Sequence, residues 1–226
     1  STLRRSDPMT TAIETTTEAI TVADITLRLT LPVSAEALIS QEEFDVDERL
    51  PYWAELWPSG RILAEWVASQ PLAGRRVLEL GSGLSLPAIV AAVRGAQVTA
   101  TDWYDTALHF TRENARAAGV EVTTVSVDWR DPPADITEGP GFDLVIAADV
   151  LYEARNAAPL AALVPRVCAP DGHVVIADPR RPDAQAFLTT MTETGWRLRT
   201  ETVEYSGRRD ETGSRIHLHH LWPTDG

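Results

Sequence analysis

Lysine is absent from this chain: all 20 basic residues are arginine. That excludes Schiff-base and lysine-nucleophile chemistry, and it excludes a P-loop, whose lysine reaches the nucleotide phosphates. Cysteine is nearly absent. The single Cys168 cannot form an internal disulfide, which fits a reducing, cytoplasmic setting. No apolar run approaches the ~20 residues of a membrane span, and the polar, Thr-rich start has no signal-peptide core. Positive charge is in deficit: 33 acidic residues against 20 basic give a net charge of −13, which argues against a protein that follows phosphate backbones. Histidine is scarce, with 5 residues. His217, His219 and His220 fall together on a predicted strand, where alternation puts only His217 and His219 on one face. Without a third ligand, no metal site is expected.

What is present fits one α/β domain with a small extension, since 226 residues would leave two full domains cramped. Residues 1–17 are rich in Ser and Thr without periodicity and are expected to be disordered. Residues 18–70 read as a preface to the main domain at 71–226, the two forming one globular unit. In the preface, Ile20, Val22, Ile25, Leu27, Leu29 and Leu31 alternate with polar residues around Ala23-Asp24. This predicts a β-hairpin, or a strand with a bend, ended by Pro32. Ser34 to Ile39 fits one or two helical turns, and Glu42 to Glu48 an acidic loop. Ile62, Leu63, Trp66 and Val67 then recur at helical spacing up to Pro71.

From there strand and helix alternate. Strands are predicted at Arg76–Leu80, Gln97–Thr101, Val122–Val127, Phe142–Ala147 and His173–Ala177. Helices are predicted at Pro87–Arg94, Asp105–Ala118, Ala157–Cys168 and Ala184–Thr194, with Gly95, Gly119 and Gly195 just past three of their ends. Such alternation calls for a parallel sheet covered on both faces. Trp196 to Tyr205 and Arg215 to Trp222 instead alternate polar and apolar residues, predicting a closing antiparallel pair.

Open α/β sheets bind ligands at the carboxyl ends of their strands. Those ends here read Glu79-Leu80-Gly81-Ser82-Gly83, Thr101-Asp102-Trp103, Val127-Asp128-Trp129 and Ala147-Ala148-Asp149-Val150-Leu151-Tyr152. Two glycines between a strand and a helix let backbone approach a ligand at a helix N-terminus. An acidic residue about 20 positions later is placed to accept hydrogen bonds from a ribose diol. Asp128-Trp129 offers a carboxylate for an exocyclic amine and an aromatic face for adenine. The third glycine of a dinucleotide turn would fall at Leu86, and no basic residue in the turn meets a pyrophosphate. The ligand class is therefore a nucleoside without phosphates, of which S-adenosylmethionine is the common cofactor.

These motifs resemble those of the seven-strand, Rossmann-like methyltransferases. The upstream Tyr52-Trp53-Ala54-Glu55-Leu56-Trp57-Pro58-Ser59-Gly60 resembles the tryptophan segment of methyltransferase family 16. That group includes protein lysine methyltransferases such as the one acting on the electron-transfer flavoprotein β subunit. The resemblance implies a doubly wound seven-strand sheet, mostly parallel with an antiparallel C-terminal strand, preceded by the hairpin and helix. It implies S-adenosylmethionine beside Gly81, Ser82 and Gly83, with Asp102 on the ribose and Asp128 and Trp129 framing the adenine. Trp57 would wall the site, and Glu79 and Ala148 complete the cofactor side; Glu79 alternatively caps the first helix. Asp149, Tyr152 and Trp53 would face the methyl acceptor, although Trp53 and Tyr152 also suit core packing. Ser85 replaces a glycine often seen in the family's turn. Asp178-Pro179-Arg180-Arg181 reads as a solvated loop, with substrate contact as the alternative.

The implied activity is N-methylation of a protein side chain, lysine first, by a cytoplasmic monomer with no nucleic-acid or membrane partner. The alternatives are a small-molecule amine or heteroaromatic nitrogen, and a non-catalytic cofactor-binding module.

Overall fold

The structure is a computed structural model that describes residues 13–34, 38, 52–206 and 214–224. The predicted turns at Ser34–Ile39 (Ser34 and Leu38 apart), the acidic loop and residues 1–12 lie outside the described residues.

β1 (Thr15–Val22) and β2 (Ile25–Pro32) form the hairpin, turning at Ala23, whose backbone is left-handed at φ 51°. Thr15 to Thr17, expected to be disordered, are strand residues paired with Thr30 to Pro32. β-branched threonine suits an extended chain once a partner strand is present. The tryptophan segment follows as a 3₁₀ turn, Tyr52–Ala54, leading into α1 (Pro58–Ala68), which opens on proline where no N–H is needed.

The main sheet takes β3 (Arg76–Leu80), β4 (Gln97–Asp102), β5 (Thr123–Ser126), β6 (Phe142–Ala148), β7 (Cys168–Asp178), β8 (Trp196–Tyr205) and β9 (Ser214–Pro223). Their order is β5-β4-β3-β6-β7-β9-β8, with β9 antiparallel to both neighbours and the other pairings parallel. The intervening helices are α2 (Leu86–Val93), α3 (Asp105–Ala117), α4 (Ala134–Thr137), α5 (Ala154–Val167) and α6 (Ala184–Glu193).

Successive residues of one strand face opposite ways, so each central strand feeds two cores. Val77, Leu144, Ile146 and Val175 pack with the hairpin, α1 and α2, while Leu78, Val145, Val174 and Ile176 pack with α5 and α6. The hairpin is fastened to α3 by a buried amide: Thr30 N–H donates to Asn114 Oδ1 (2.8 Å), and Asn114 Nδ2 donates to the Thr30 carbonyl (3.1 Å). Asn114 thus serves the hairpin as a neighbouring strand would.

Three elements differ from expectation. α5 begins at Ala154 rather than Ala157 and accommodates Pro159 and Pro165. β7 starts directly at Cys168 instead of His173, with a register irregularity opposite Phe142. Gly172 permits this folding back, since a Cβ there would stand 2.6 Å from Cys168 Sγ. The short α4 follows Pro132-Pro133, and four residues are too few to show a helical period.

Candidate active site

The carboxyl ends of β3, β4 and β6, with the segment after β5, converge on one cavity of about 450 Å³. β3 leads into a tight turn because Gly81 (φ 63°) and Gly83 (φ 51°) adopt left-handed backbone. A Cβ on Gly81 would lie 2.9 Å from Val150 Cγ1 and 3.2 Å from the Trp129 ring; one on Gly83 would lie 3.1 Å from the Trp53 carbonyl oxygen. Both glycines are therefore bare so that other groups can close around the turn. Ser82 N–H donates to the Thr101 carbonyl (2.8 Å), which ties the turn to β4. The Ser82 hydroxyl is buried at the cavity with no hydrogen-bond partner among the described residues. Ser85, in place of a glycine, itself takes a left-handed backbone (φ 56°), and its buried hydroxyl pairs with that of Thr111 at 2.7 Å.

Asp102 is buried and braces the turn, Oδ2 accepting from Gly83 N–H (2.8 Å) and Oδ1 from Tyr104 N–H (2.9 Å). Glu79 lies beneath. Its Oε2 accepts from Ala88 N–H (3.2 Å) in the first turn of α2, so the capping role holds, and it also lines the cavity. Burial pushes its carboxyl well above the usual carboxylate range, with the Asp102 charge adding to the effect.

Trp129 covers Gly81 from one side. Asp128, expected to meet an exocyclic amine, is gripped by Arg130 through Nε (2.9 and 3.1 Å) and Nη2 (2.9 Å). Arg130 in turn lies 5.6 Å from the Trp103 ring centroid. Trp57 donates its indole N–H to the Tyr52 carbonyl (2.8 Å) and lines the cavity. Ala148, ending β6, lines it as well.

Asp149 and Tyr152, which follow β6, line the same cavity. Asp149 has a left-handed backbone (φ 52°), and its N–H donates to the Ala177 carbonyl at 2.8 Å. Tyr152 is exposed at the mouth, edge-on to Tyr52 at 5.3 Å between ring centroids. Trp53 also lines the cavity. Its ring, expected at the acceptor, is buried against Phe110 (5.7 Å) and Tyr104 (6.4 Å). The 3₁₀ turn sends consecutive side chains in different directions, so Tyr52 beside it is exposed at the mouth. Sequence reading passed over Tyr52, although it stands next to Trp53.

For Arg181 the sequence reads a solvated loop first and substrate contact second. The loop after β7 is not merely solvated: Arg181 clamps Asp149, Nε to Oδ1 and Nη2 to Oδ2, both at 2.9 Å, and lines the cavity. The signal available was its position just past the carboxyl end of a strand beside β6.

The histidines lie elsewhere in the sheet. His219 Nδ1 pairs with the Thr200 hydroxyl (2.8 Å), His173 Nε2 with His220 Nδ1 (3.1 Å), and His220 Nε2 with Glu201 (3.1 Å).

The strand order with β9 reversed, the glycine turn and the carboxylate ending the next strand define the seven-strand methyltransferase fold. The Geobacter metallireducens precorrin-6y C5,15-methyltransferase superposes with a TM-score of 0.58 at 14% identity, over 73% of this chain and 89% of that one. A family model described as lysine methyltransferase, methyltransferase family 16, matches residues 46–194, and the chain belongs to this family. Zebrafish protein N-lysine methyltransferase METTL21A is 30% identical over 173 residues, covering 72% of this chain and 76% of that protein. Histone-arginine methyltransferase METTL23 of Xenopus laevis is 33% identical over 112 residues, 46% of this chain and 47% of its own length. The chain thus matches about half the length of that relative. Among the described residues, no helix is long and apolar enough to cross a membrane.

Proposed function

We propose that this protein is an S-adenosylmethionine-dependent N-methyltransferase acting on a protein side chain, lysine first, as a cytoplasmic monomer. The observation that carries the reading is a single cavity lined by the Gly81–Gly83 turn, Asp102, Asp149 and Tyr152. Family membership and the lysine methyltransferase relative support the choice of acceptor.

The chain's residues fit the cofactor. About 450 Å³ is within the range of small-molecule sites. The Gly81–Gly83 turn lines the cavity, and the buried Ser82 hydroxyl, without a hydrogen-bond partner among the described residues, is a polar group that a bound polar ligand would satisfy. Asp102 accepts two backbone N–H groups beside the cavity, and a carboxylate offers about four lone-pair sites. In this reading Gly81, Ser82, Gly83 and Asp102 hold the cofactor with Trp129, Trp57, Ala148 and Glu79 around it. Asp128 serves the adenine edge while remaining paired with Arg130. Bound there, S-adenosylmethionine supplies an electrophilic methyl group on a sulfonium.

The chain's remaining task is to deliver a nitrogen lone pair. Asp149 orients the acceptor by accepting an N–H, and Tyr52 and Tyr152 flank its aliphatic stem at the mouth. The exposed Glu55 also lines the cavity, which suits a cationic segment of a protein. The acceptor's proton leaves to solvent through the same opening.

The reading is tested by incubating the protein with methyl-labelled S-adenosylmethionine and lysate, then separating products. A labelled protein band, with the label on lysine, is expected. A labelled small molecule instead would assign the acceptor to the amine or heteroaromatic class. No label despite cofactor binding would leave a non-catalytic binding module.

A further inference from the structure

Arg181 gives Asp149 a role that its position alone would not. Both carboxylate oxygens receive a guanidinium N–H at 2.9 Å, and the Asp149 side chain is only 8% exposed. A bidentate clamp of this kind is directional and charge-assisted. Both partners are also fixed from their backbones. Arg181 N–H donates to Asp178 Oδ2 (2.9 Å), and Asp178 is buried; Arg180, just before, holds a left-handed backbone at φ 68°. Asp149 is held by its own left-handed backbone and by the Ala177 carbonyl. Non-glycine residues in this conformation carry a cost that the surrounding structure must sustain, and such positions cluster at functional sites. Here the two flank one ion pair.

We propose that Arg181 sets the charge state in which the acceptor nitrogen is received: by neutralising Asp149, it makes the site select the uncharged amine over the ammonium. This rests on the N-methyltransferase reading. An ammonium has no lone pair and cannot take the methyl group. A lone carboxylate would hold the ammonium and oppose loss of its proton, whereas a nearby fixed cation disfavours the charged form. A carboxylate has about four lone-pair sites, so the clamped Asp149 still accepts one N–H from the acceptor. The pair therefore orients an amine without stabilising its protonated form.

Among the described residues, Glu55 and Tyr152 line the same cavity as the pair. Asp178 and Arg180 lie on the same turn, and His217 and His219 stand on β9 beside Asp178. Tyr52 faces Arg181 across the mouth. Arg155 of α5 is paired with Glu153. Asp178 is committed to the Arg181 backbone, and among the described contacts Arg181 is the cation on both Asp149 oxygens.

The test is binding of n-butylammonium, the end of a lysine side chain, against uncharged butyramide, in protein saturated with S-adenosylhomocysteine at neutral pH. The wild type is expected to bind the ammonium no better than the amide. Arg181→Met and Arg181→Gln should each raise the ammonium-to-amide affinity ratio by about tenfold or more, as expected when a neighbouring cation is removed. Arg181→Lys should stay near wild type, and Asp149→Asn combined with Arg181→Met should return the ratio to about one. A wild type that already prefers the ammonium tenfold, or neutral variants with an unchanged ratio (including no binding in any of them), overturns the proposal. Failure of the protein to bind S-adenosylhomocysteine would instead overturn the methyltransferase reading beneath it.

Discussion

The Asp102 carboxylate accepts the Gly83 backbone N–H at 2.8 Å, so the residue expected to hold the ribose also braces the turn expected to hold the rest of the cofactor. One substitution should therefore damage both. Asp102→Ala removes the acceptor of two backbone N–H groups, at a cost of about 1–3 kcal/mol. S-adenosylmethionine affinity should fall by at least about tenfold, because a buried hydrogen-bonded group is lost from each partner. Thermal unfolding and titration calorimetry check the two effects. Unchanged affinity would remove Asp102 from the cofactor site.

Gly83 and Gly119 separate strain from crowding. Both have positive φ, 51° and 72°, but a Cβ on Gly119 meets open space whereas one on Gly83 meets the Trp53 backbone. Gly119→Ala should cost about 1 kcal/mol from backbone strain and leave cofactor affinity untouched. Gly83→Ala should cost more, since backbone cannot yield as a flexible side chain does, and should weaken S-adenosylmethionine binding. Equal effects of the two on affinity would contradict the close-approach role of Gly83.

Much of the scaffold was legible because its signals are local. The run Val77 to Leu80 followed by Gly81 and Gly83 states strand, turn and helix within a dozen residues, and Asp102 closes the next strand at the expected distance. The relations that escaped are tertiary. Arg181 meets Asp149 across the ends of two adjacent strands, 32 residues apart in sequence, and no periodicity reports that. The exposed Tyr52 beside the buried Trp53 depends on a three-residue 3₁₀ turn too short to show a pattern. Thr15 to Thr17 looked unstructured because their polar surface carries no apolar alternation; the partner strand supplies the order.

Acid should destabilise the fold through two histidines. Burial lowers His173 and His219 from 6.5 to about 4. Between those values the unfolded chain takes up protons that the folded chain refuses, so stability is lost as pH falls from 6.5 toward 4. Asp178 acts in the opposite sense. Burial raises its carboxyl from 3.8 to about 6, so its contribution is lost as pH rises across that window and offsets part of the histidine effect. Glu79, raised by burial, acts in the same sense as Asp178, so the readout is the difference: relative to wild type, His219→Gln should lose less melting temperature as pH falls from 6.5 toward 4. A slope unaltered by His219→Gln would contradict the assignment.

The central claim is that cofactor side and acceptor side are distinct halves of one cavity, with Asp149 in the acceptor half. Its most direct test measures S-adenosylmethionine affinity and methyl transfer together in Asp149→Asn, a variant close to isosteric. The account predicts affinity within a few-fold of wild type and methyl transfer reduced by about a hundredfold or more, the scale expected when a group that positions the acceptor is lost. Wild-type transfer in Asp149→Asn, or loss of cofactor binding in step with activity, would contradict it.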